Sequence, residues 1–349
     1  PVLVNADRGS SWRNIGGGRT AFSLPELAEI AARNHSIFKE LQYLSNIDYR
    51  PIKYVNFAHD EETYKALEAS KAWSKAEMVA PKQFREEISP YFNSKSKKYL
   101  AALISDECWQ ATPGKVVDLI RNIGIAAGGT VMEDCRVIEA VRDGKYTSVL
   151  VSTHDKQYIE YRTEHFVNAL GSGAGKLCDS MGIDAGLYPV RHQAFITRRL
   201  PMLGKNGANL DMLIDRQDYK GFSAVYGQQI AYTGQIIGCA SPKLDAMRID
   251  KNLKLNTKAF LEIVSEMFVE WIPDLAGVGI QAVWAGYYTE PRYIVDPELG
   301  LFVGMRGHGF MLSQYIAKMY VDKLMGRPVP EYFDKLKLNG PGLSEKAFK

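Results

Sequence analysis

The sequence predicts an α/β protein, α+β over its whole length, in which a domain of strands and helices is interrupted by a larger sheet-rich domain. Three observations carry that reading. Leu301-Phe302-Val303 leads through Gly304-Met305-Arg306-Gly307-His308-Gly309-Phe310 into a helical stretch ending at Met325-Gly326, a strand–turn–helix unit. From Pro189 to Cys239 the pattern is strand-rich. The 349 residues, 46% hydrophobic and 24% charged, have ordinary globular composition and are enough for two domains.

The elements follow in order. Val2-Leu3-Val4-Asn5-Ala6-Asp7 reads as a short buried strand, followed by turn residues and the cluster Gly16-Gly17-Gly18. Apolar residues at helical spacing run from Leu24 to about Leu44, with Ser23-Leu24-Pro25-Glu26 as a capped start. Tyr54 to Ala58 is strand-like, and Asp60 to about Trp73 is helical. Pro113 opens a helix reaching Ile125, since proline's fixed φ and missing N–H suit a first turn. Strands around Cys135–Val141 and Ser148–Thr153 are joined by the hairpin turn Arg142-Asp143-Gly144-Lys145. His165 to Leu170 predicts a buried strand entering Gly171-Ser172-Gly173-Ala174-Gly175 and a helix over 176–181. Gln193–Thr197 and Gln235–Gly238 are strands, Thr257–Phe268 is a helix, and the polar residues after Pro328 predict a surface extension.

Composition excludes several function classes. A net charge of +3 is too small to argue for nucleic acid, and Lys95-Ser96-Lys97-Lys98 reads as a solvated helix start. No apolar run approaches the ~18 residues that span a bilayer, and no signal-like segment follows Pro1. Cys108, Cys135, Cys178 and Cys239 lie far apart without C-x-x-C or paired-His spacing, which predicts free thiols in a reducing, cytoplasmic setting and no metal site. The glycines around His308 allow a tight turn and close ligand approach. The helix start behind them offers unpaired N–H groups to an electron-rich or anionic group. An ordinary tight βα turn has the same glycine pattern.

Several segments together resemble a known family. Asn168-Ala169-Leu170-Gly171-Ser172-Gly173-Ala174-Gly175-Lys176-Leu177 resembles the strand-end motif N-A-A-G-x-W-x-x-x-L of FAD-dependent amine oxidoreductases. These form the D-amino-acid oxidase superfamily, here its sarcosine oxidase, glycine oxidase and dimethylglycine dehydrogenase-like branch. Pro189-Val190-Arg191-His192-Gln193 is similar to the family's P-x-R-G-Q strand, and Gly304 to Phe310 to its C-terminal G-F-S-G-H-G-F. Ser11-Trp12-Arg13-Asn14 with Gly16-Gly17-Gly18 is similar to the S-x-R-N-G-G-G loop beside the flavin.

The resemblance implies an incomplete Rossmann-like FAD-binding domain over 1–25, 110–180 and 285–330, a substrate and interface domain over 26–109 and 181–284, and a C-terminal extension over 331–349. The family opens with a strand, G-x-G-x-x-G and a helix that hold the pyrophosphate. That unit is not found here, so a second polypeptide is expected to supply it. The expected activity is that of a subunit of an FAD-dependent amino-acid or amine dehydrogenase or oxidase. The alternative is a non-catalytic scaffold that keeps the fold and binds no flavin.

The resemblance also implies site residues. Arg13, Asn14, Gly16, Gly17, Val137, Gly171, Gly304, Arg306, Gly307, His308, Gly309 and Phe310 are the expected cofactor set. The acid that contacts the ribose is either Asn5, by strict register, or Asp7, by chemistry. Tyr288 falls where some relatives place a carboxylate-binding arginine, and Arg292 or Arg191 is positioned to compensate. Tyr288, Arg292 and His308 are therefore the expected catalytic group. His308 is expected to shape its loop, with a general-base role as the lesser alternative. Arg306 has three alternatives: charge near the flavin, substrate carboxylate binding, or exposure to solvent.

Overall fold

The computed structural model describes residues 9–73, 75–205, 207–242, 257–343 and 345. The strand expected at Val2–Asp7, with Asn5 and Asp7, lies outside them. The chain opens with α1 (Ser10–Arg13), β1 (Gly17–Gly18), α2 (Pro25–Leu44), β2 (Arg50–Ala58), α3 (Glu61–Ser70), β3 (Ala76–Val79), α4 (Phe84–Glu87) and β4 (Ala101–Gln110). Next come α5 (Pro113–Ala126), the meander β5 (Arg136–Asp143), β6 (Tyr146–Ser152) and β7 (Tyr158–Thr163), and α6 (Ala174–Ser180). Then follow β8 (Tyr188–Thr197), β9 (Met212–Asp215), β10 (Phe222–Gln229), β11 (Ile236–Pro242), α7 (Thr257–Trp271), β12 (Ile280–Glu290), β13 (Ile294–Asp296), β14 (Leu301–Val303) and α8 (Gly309–Leu324).

One nine-stranded sheet runs β1-β4-β2-β9-β10-β11-β8-β12, with β3 also paired to β4. All its pairings are antiparallel except β2 with β9. Side chains of a strand alternate between faces, so the sheet separates two environments. Phe195, Leu213, Val225 and Ala240 point into a core with Phe260, Phe268 and Trp271 of α7 and Phe57, Phe84 and Phe92. A second core joins α2 to α8, with Phe38, Trp109, Leu312 and Ile316 at its centre.

Capping works differently from the sequence reading at α2. Leu24 is the N-cap, with Pro25 in the first turn and no side-chain cap. The Ser23 side chain instead donates to Glu345. The expected surface extension also packs inward: Phe333 and Leu336 are fully buried and Leu343 nearly so, all within the α2–α8 core.

The β5–β6 hairpin forms as expected, with Gly144 at φ 58°. The expected strand at 165–170 is reduced to one parallel bridge, Asn168 with Leu301, and Val167 and Leu170 are exposed. A strand needs lateral partners, and this segment has only β14 beside it among the described residues. No helix there is long and apolar enough to cross a membrane.

Candidate functional site

A cavity of about 180 Å³ lies on the sheet face opposite α7, between the α1–β1 loop and the start of α8. Strand alternation explains its lining. His192 and Ala194 on β8, Met212 and Ile214 on β9, Ala224 and Tyr226 on β10, Cys239 and Ser241 on β11, and Gly286 and Tyr288 on β12 are i, i+2 pairs that share this face. The same period carries Arg216 into the lining just after β9. The preceding Asp215 is buried and accepts from His59 Nε2 at 2.7 Å, Tyr99 Oη at 3.0 Å and the Gln217 N–H at 3.0 Å. Trp271 Nε1 donates to Tyr99 Oη at 2.9 Å. Asp215 is thereby tied to the α7 side, and its neighbour is set toward the cavity.

The α1–β1 loop supplies the second wall. Asn14 Oδ1 accepts the Gly16 N–H at 2.7 Å, and Asn14 Nδ2 donates to Ser11 O at 2.6 Å, so one side chain closes the loop. Arg13 Nη1 donates to Ala285 O at 3.0 Å, and Trp284 Nε1 donates to Arg13 O at 2.8 Å, docking the loop on β12.

The third wall is the turn into α8. Gly304 has φ +69°, and a Cβ there would overlap the Arg292 carbonyl. A Cβ on Gly307 would come within 2.7 Å of Tyr288 Cζ, so only glycine lets the backbone lie on that ring. His308 is the N-cap of α8. Arg19 Nη2 lies 3.3 Å from His308 Nε2, and Tyr293 Oη 2.5 Å from Nδ1. A guanidinium only donates, so Nε2 is the acceptor and the proton sits on Nδ1, donating to Tyr293. Burial, then the charges of Arg19, Arg306 and Arg216, hold the His308 pKa well below its ordinary value. The ring is neutral and a poor proton acceptor, which favours the loop-shaping role over the general base.

Among Ala194, Met212, Ile214, Ala224 and other apolar groups, the polar part of the remaining lining is phenolic and cationic. Tyr288 stacks on His192 with centroids 3.6 Å apart, and its hydroxyl lies 2.9 Å from that of Tyr226. Burial pushes both phenols up and pushes His192 down to about 3, so it too is neutral. Arg19 is 3% exposed, and its Nη1 donates to Ala21 O at 2.9 Å. Burial lowers the pKa of both Arg19 and Arg216, and Arg19 lowers that of Arg216 further, yet a guanidinium keeps its proton in protein surroundings. Among the described residues no carboxylate lines the cavity.

Of the expected residues, the cavity brings together Arg13, Asn14, Gly16, Gly17, Tyr288, Gly307, His308 and Phe310. Gly309 is the first residue of α8. Arg306 lies beside the cavity, with positive φ and its Nε donating to Glu290 Oε2 at 2.7 Å. Arg292 is turned away: Nη1 donates to Gly340 O at 3.0 Å and Nη2 to Leu338 O, holding the C-terminal segment. Val137 is on β5, and Gly171, at φ +56°, starts a 3₁₀ turn before α6; neither lines the cavity. Sequence reasoning missed Arg19, Arg216, His192, Tyr226 and Tyr54 as lining residues. Period-two alternation, as in Met212, Ile214 and Arg216, was the available signal.

The fold and the site define a flavin-type oxidoreductase, and the comparisons agree. The family described as DAO, FAD dependent oxidoreductase, matches residues 2–323, and the chain belongs to it. Among solved structures the chain is similar to L-proline dehydrogenase from P. horikoshii (TM-score 0.77, 21% identity, 95% of this chain and 87% of that one). It is also similar to glycine oxidase from Geobacillus kaustophilus (0.75, 16%, 95% and 88%) and to iminodiacetate oxidase from Chelativorans sp. BNC1 (0.74, 14%, 97% and 91%). By sequence alone no curated protein matches significantly.

The donor set fits the flavin end of FAD. The first N–H groups of a helix have no intrahelical acceptor. At α8 the Met311 N–H donates to His308 O at 3.1 Å, and Phe310 stands at a cavity lined also by Arg13, Arg19 and Arg216 and, among the described residues, by no acid. At about 180 Å³ the space resembles the ~150 Å³ cavity that holds benzene, room for a ring or a small substrate rather than a whole dinucleotide.

Proposed function

We propose that this protein oxidises the C–N bond of a small amino or imino acid, with flavin bound between the α1–β1 loop and the start of α8. The observation that carries the reading is the cavity's composition: three arginines (Arg13, Arg19 and Arg216), neutral rings and, among the described residues, no carboxylate. The family supplies the redox class. The neighbours named for proline, glycine and iminodiacetate chemistry supply the substrate class.

Bound there, FAD would supply the two-electron oxidising capacity that oxidation of a carbon bearing nitrogen requires. The protein's part is placement. Arg19 and Arg216 receive the substrate carboxylate, and Tyr288 with Tyr226 bounds the cavity beside it. Among the described residues no acidic group lines the cavity to pair with an ammonium, which favours the neutral amine that oxidation needs. The N-terminal end of α8 and its dipole would favour negative charge on a group bound against it. No side chain need act as nucleophile, and the imine product hydrolyses in water.

The pyrophosphate end is proposed to be completed by residues outside these 349, in a preceding segment of a longer polypeptide or in a partner polypeptide. The support is the bare apolar face of α5. Only Pro113 and Val116 of that helix are buried, whereas Ile120, Ile123 and Ile125 are exposed, as are Val131 and Met132 beyond it. A helix in a globular fold ordinarily buries such a stripe.

The test is the visible spectrum and intact mass of the purified native protein. A flavin band near ~450 nm that bleaches anaerobically with an amino or imino acid supports the reading. A colourless protein that takes up no FAD would establish the scaffold alternative. The intact mass and denaturing gel separate one longer chain from two.

A further inference from the structure

Two imidazoles line the cavity, and their hydrogen bonding differs. His308 has both ring nitrogens engaged, Nε2 by Arg19 at 3.3 Å and Nδ1 by Tyr293 at 2.5 Å. His192 has neither engaged. Its Nδ1 is enclosed without a hydrogen-bond partner, and Nε2, which is not enclosed, has none among the described residues. The residue is nonetheless only 8% exposed. Buried polar groups are ordinarily paired, and leaving one unpaired is costly. An imidazole kept in that state on the wall of a cavity points to a ligand that completes it.

The ring is fixed in place before any ligand arrives. Its cross-strand neighbour on β12 is Gly286, which has no side chain to cover it. Tyr288 stacks on it with centroids 3.6 Å apart and 24° between the planes. Tyr288 is set in turn by the Tyr226 hydroxyl at 2.9 Å and by the Gly307 backbone, which lies against its ring. We propose that His192 Nε2 accepts the N–H of the substrate's nitrogen, so that the site selects primary and secondary amino acids over N,N-dialkylated ones. This rests on the reading that an amino or imino acid enters this cavity.

The physical case is the supply of acceptors. A neutral imidazole has one donor nitrogen and one acceptor nitrogen, and burial keeps His192 neutral. The lining carries Arg13, Arg19 and Arg216 and, among the described residues, no acid. Dipolar side chains orient in the field of nearby charges, which favours the tautomer with its proton on Nδ1 and its lone pair on Nε2 facing the cavity. A neutral primary or secondary amine has an N–H to give to that lone pair, and a neutral tertiary amine has none. Unlike a carboxylate, the imidazole takes the N–H without adding the negative charge that would favour an ammonium. His192 is thus a binding and specificity residue that touches the substrate and takes no proton from it.

The experiment is calorimetric titration of the native flavin-loaded protein with pyrrole-2-carboxylate and with furan-2-carboxylate. The two rings share a shape and a carboxylate, neither ring heteroatom ionises near neutral pH, and neither molecule is an oxidisable amine. They differ in an N–H against an oxygen beside the carbon that bears the carboxylate. The wild type is expected to bind the pyrrole about tenfold or more tightly, because one ring pairs with the Nε2 lone pair and the other sets an acceptor against it. His192→Phe keeps a flat ring on Tyr288 and should bring the two dissociation constants to within about twofold of each other. A wild type that binds neither overturns the reading that the cavity takes a carboxylate, and this inference with it. A wild type that binds both equally, or prefers the furan, overturns this inference alone, whether or not the variant folds. A preference that survives in His192→Phe assigns the N–H to another acceptor and also overturns this inference alone.

Discussion

His192 offers a direct measure of how well the site excludes water. It is 8% exposed, its Nδ1 has no hydrogen-bond partner, and burial lowers its pKa to about 3. An unfolded histidine titrates near 6.5, so the unfolded chain binds the extra proton. A group whose folded pKa is depressed in this way costs nothing above about pH 7. It removes stability as pH falls below the unfolded value, until the folded pKa is reached. From about pH 7.5 to pH 5 the loss is about 1.36 × log(1 + 10^1.5), or about 2 kcal/mol. His192→Phe keeps a flat ring against Tyr288 and deletes the titration. Urea unfolding at several pH values should show the wild type losing about 2 kcal/mol more than the variant over that interval. Other buried histidines, His308 included, titrate in both proteins and cancel in the difference. Parallel acid slopes would refute the claim that His192 is held neutral in a dry site.

Three further outcomes follow from contacts at the site and its edges. Gly307→Ala places a Cβ against the Tyr288 ring, so thermal or urea unfolding should show a loss of about 1–3 kcal/mol; an unchanged midpoint would mean that the ring moves aside freely. Arg292→Ala frees the Leu338 and Gly340 carbonyls, so limited proteolysis should cut the segment after residue 336 faster while acetate affinity stays within about twofold, roughly 0.4 kcal/mol; a large affinity loss with an intact tail would restore Arg292 to the substrate site. Ile120→Glu with Ile123→Glu changes exposed positions on α5, so the chain's own melting should move little while FAD retention falls; full retention would remove α5 as the docking face of the nucleotide half.

Local signals were legible in the sequence and long-range convergence was not. The turn from Gly304 to Phe310 and the hairpin at Gly144 were readable because glycine chemistry specifies them within a few residues. The Arg13-Asn14-Gly16-Gly17 loop was readable only as a resemblance. Arg19 and Arg216 could not be paired in advance, since the β2–β9 pairing and the Asp215 network bring them together across most of the chain. Alternation shows which residues share a face of β9, but not whether that face meets a helix or a cavity. Ser23 read as a helix cap because capping is local, whereas its actual partner is Glu345, near the other end of the chain. The C-terminal segment read as surface because Phe333, Leu336 and Leu343 are too sparse to form a period, although each finds the core.

Arg19, His308 and Tyr293 make one hydrogen-bonded arrangement. His308 must remain neutral for Nε2 to accept from Arg19, and burial first, with the nearby arginines after it, keeps it neutral. Its Nδ1 proton is then committed to Tyr293, a residue of the same core that takes in Leu343 of the C-terminal segment. The start of α8 is thus fixed through His308 by Arg19 on one side and Tyr293 on the other, and Glu345 approaches the same place through Ser23. The Arg19 guanidinium therefore ties the Ala21–Phe22 segment to the start of α8. A change in the charge at Arg19 would be felt at the start of α8, where the flavin ring is proposed to lie.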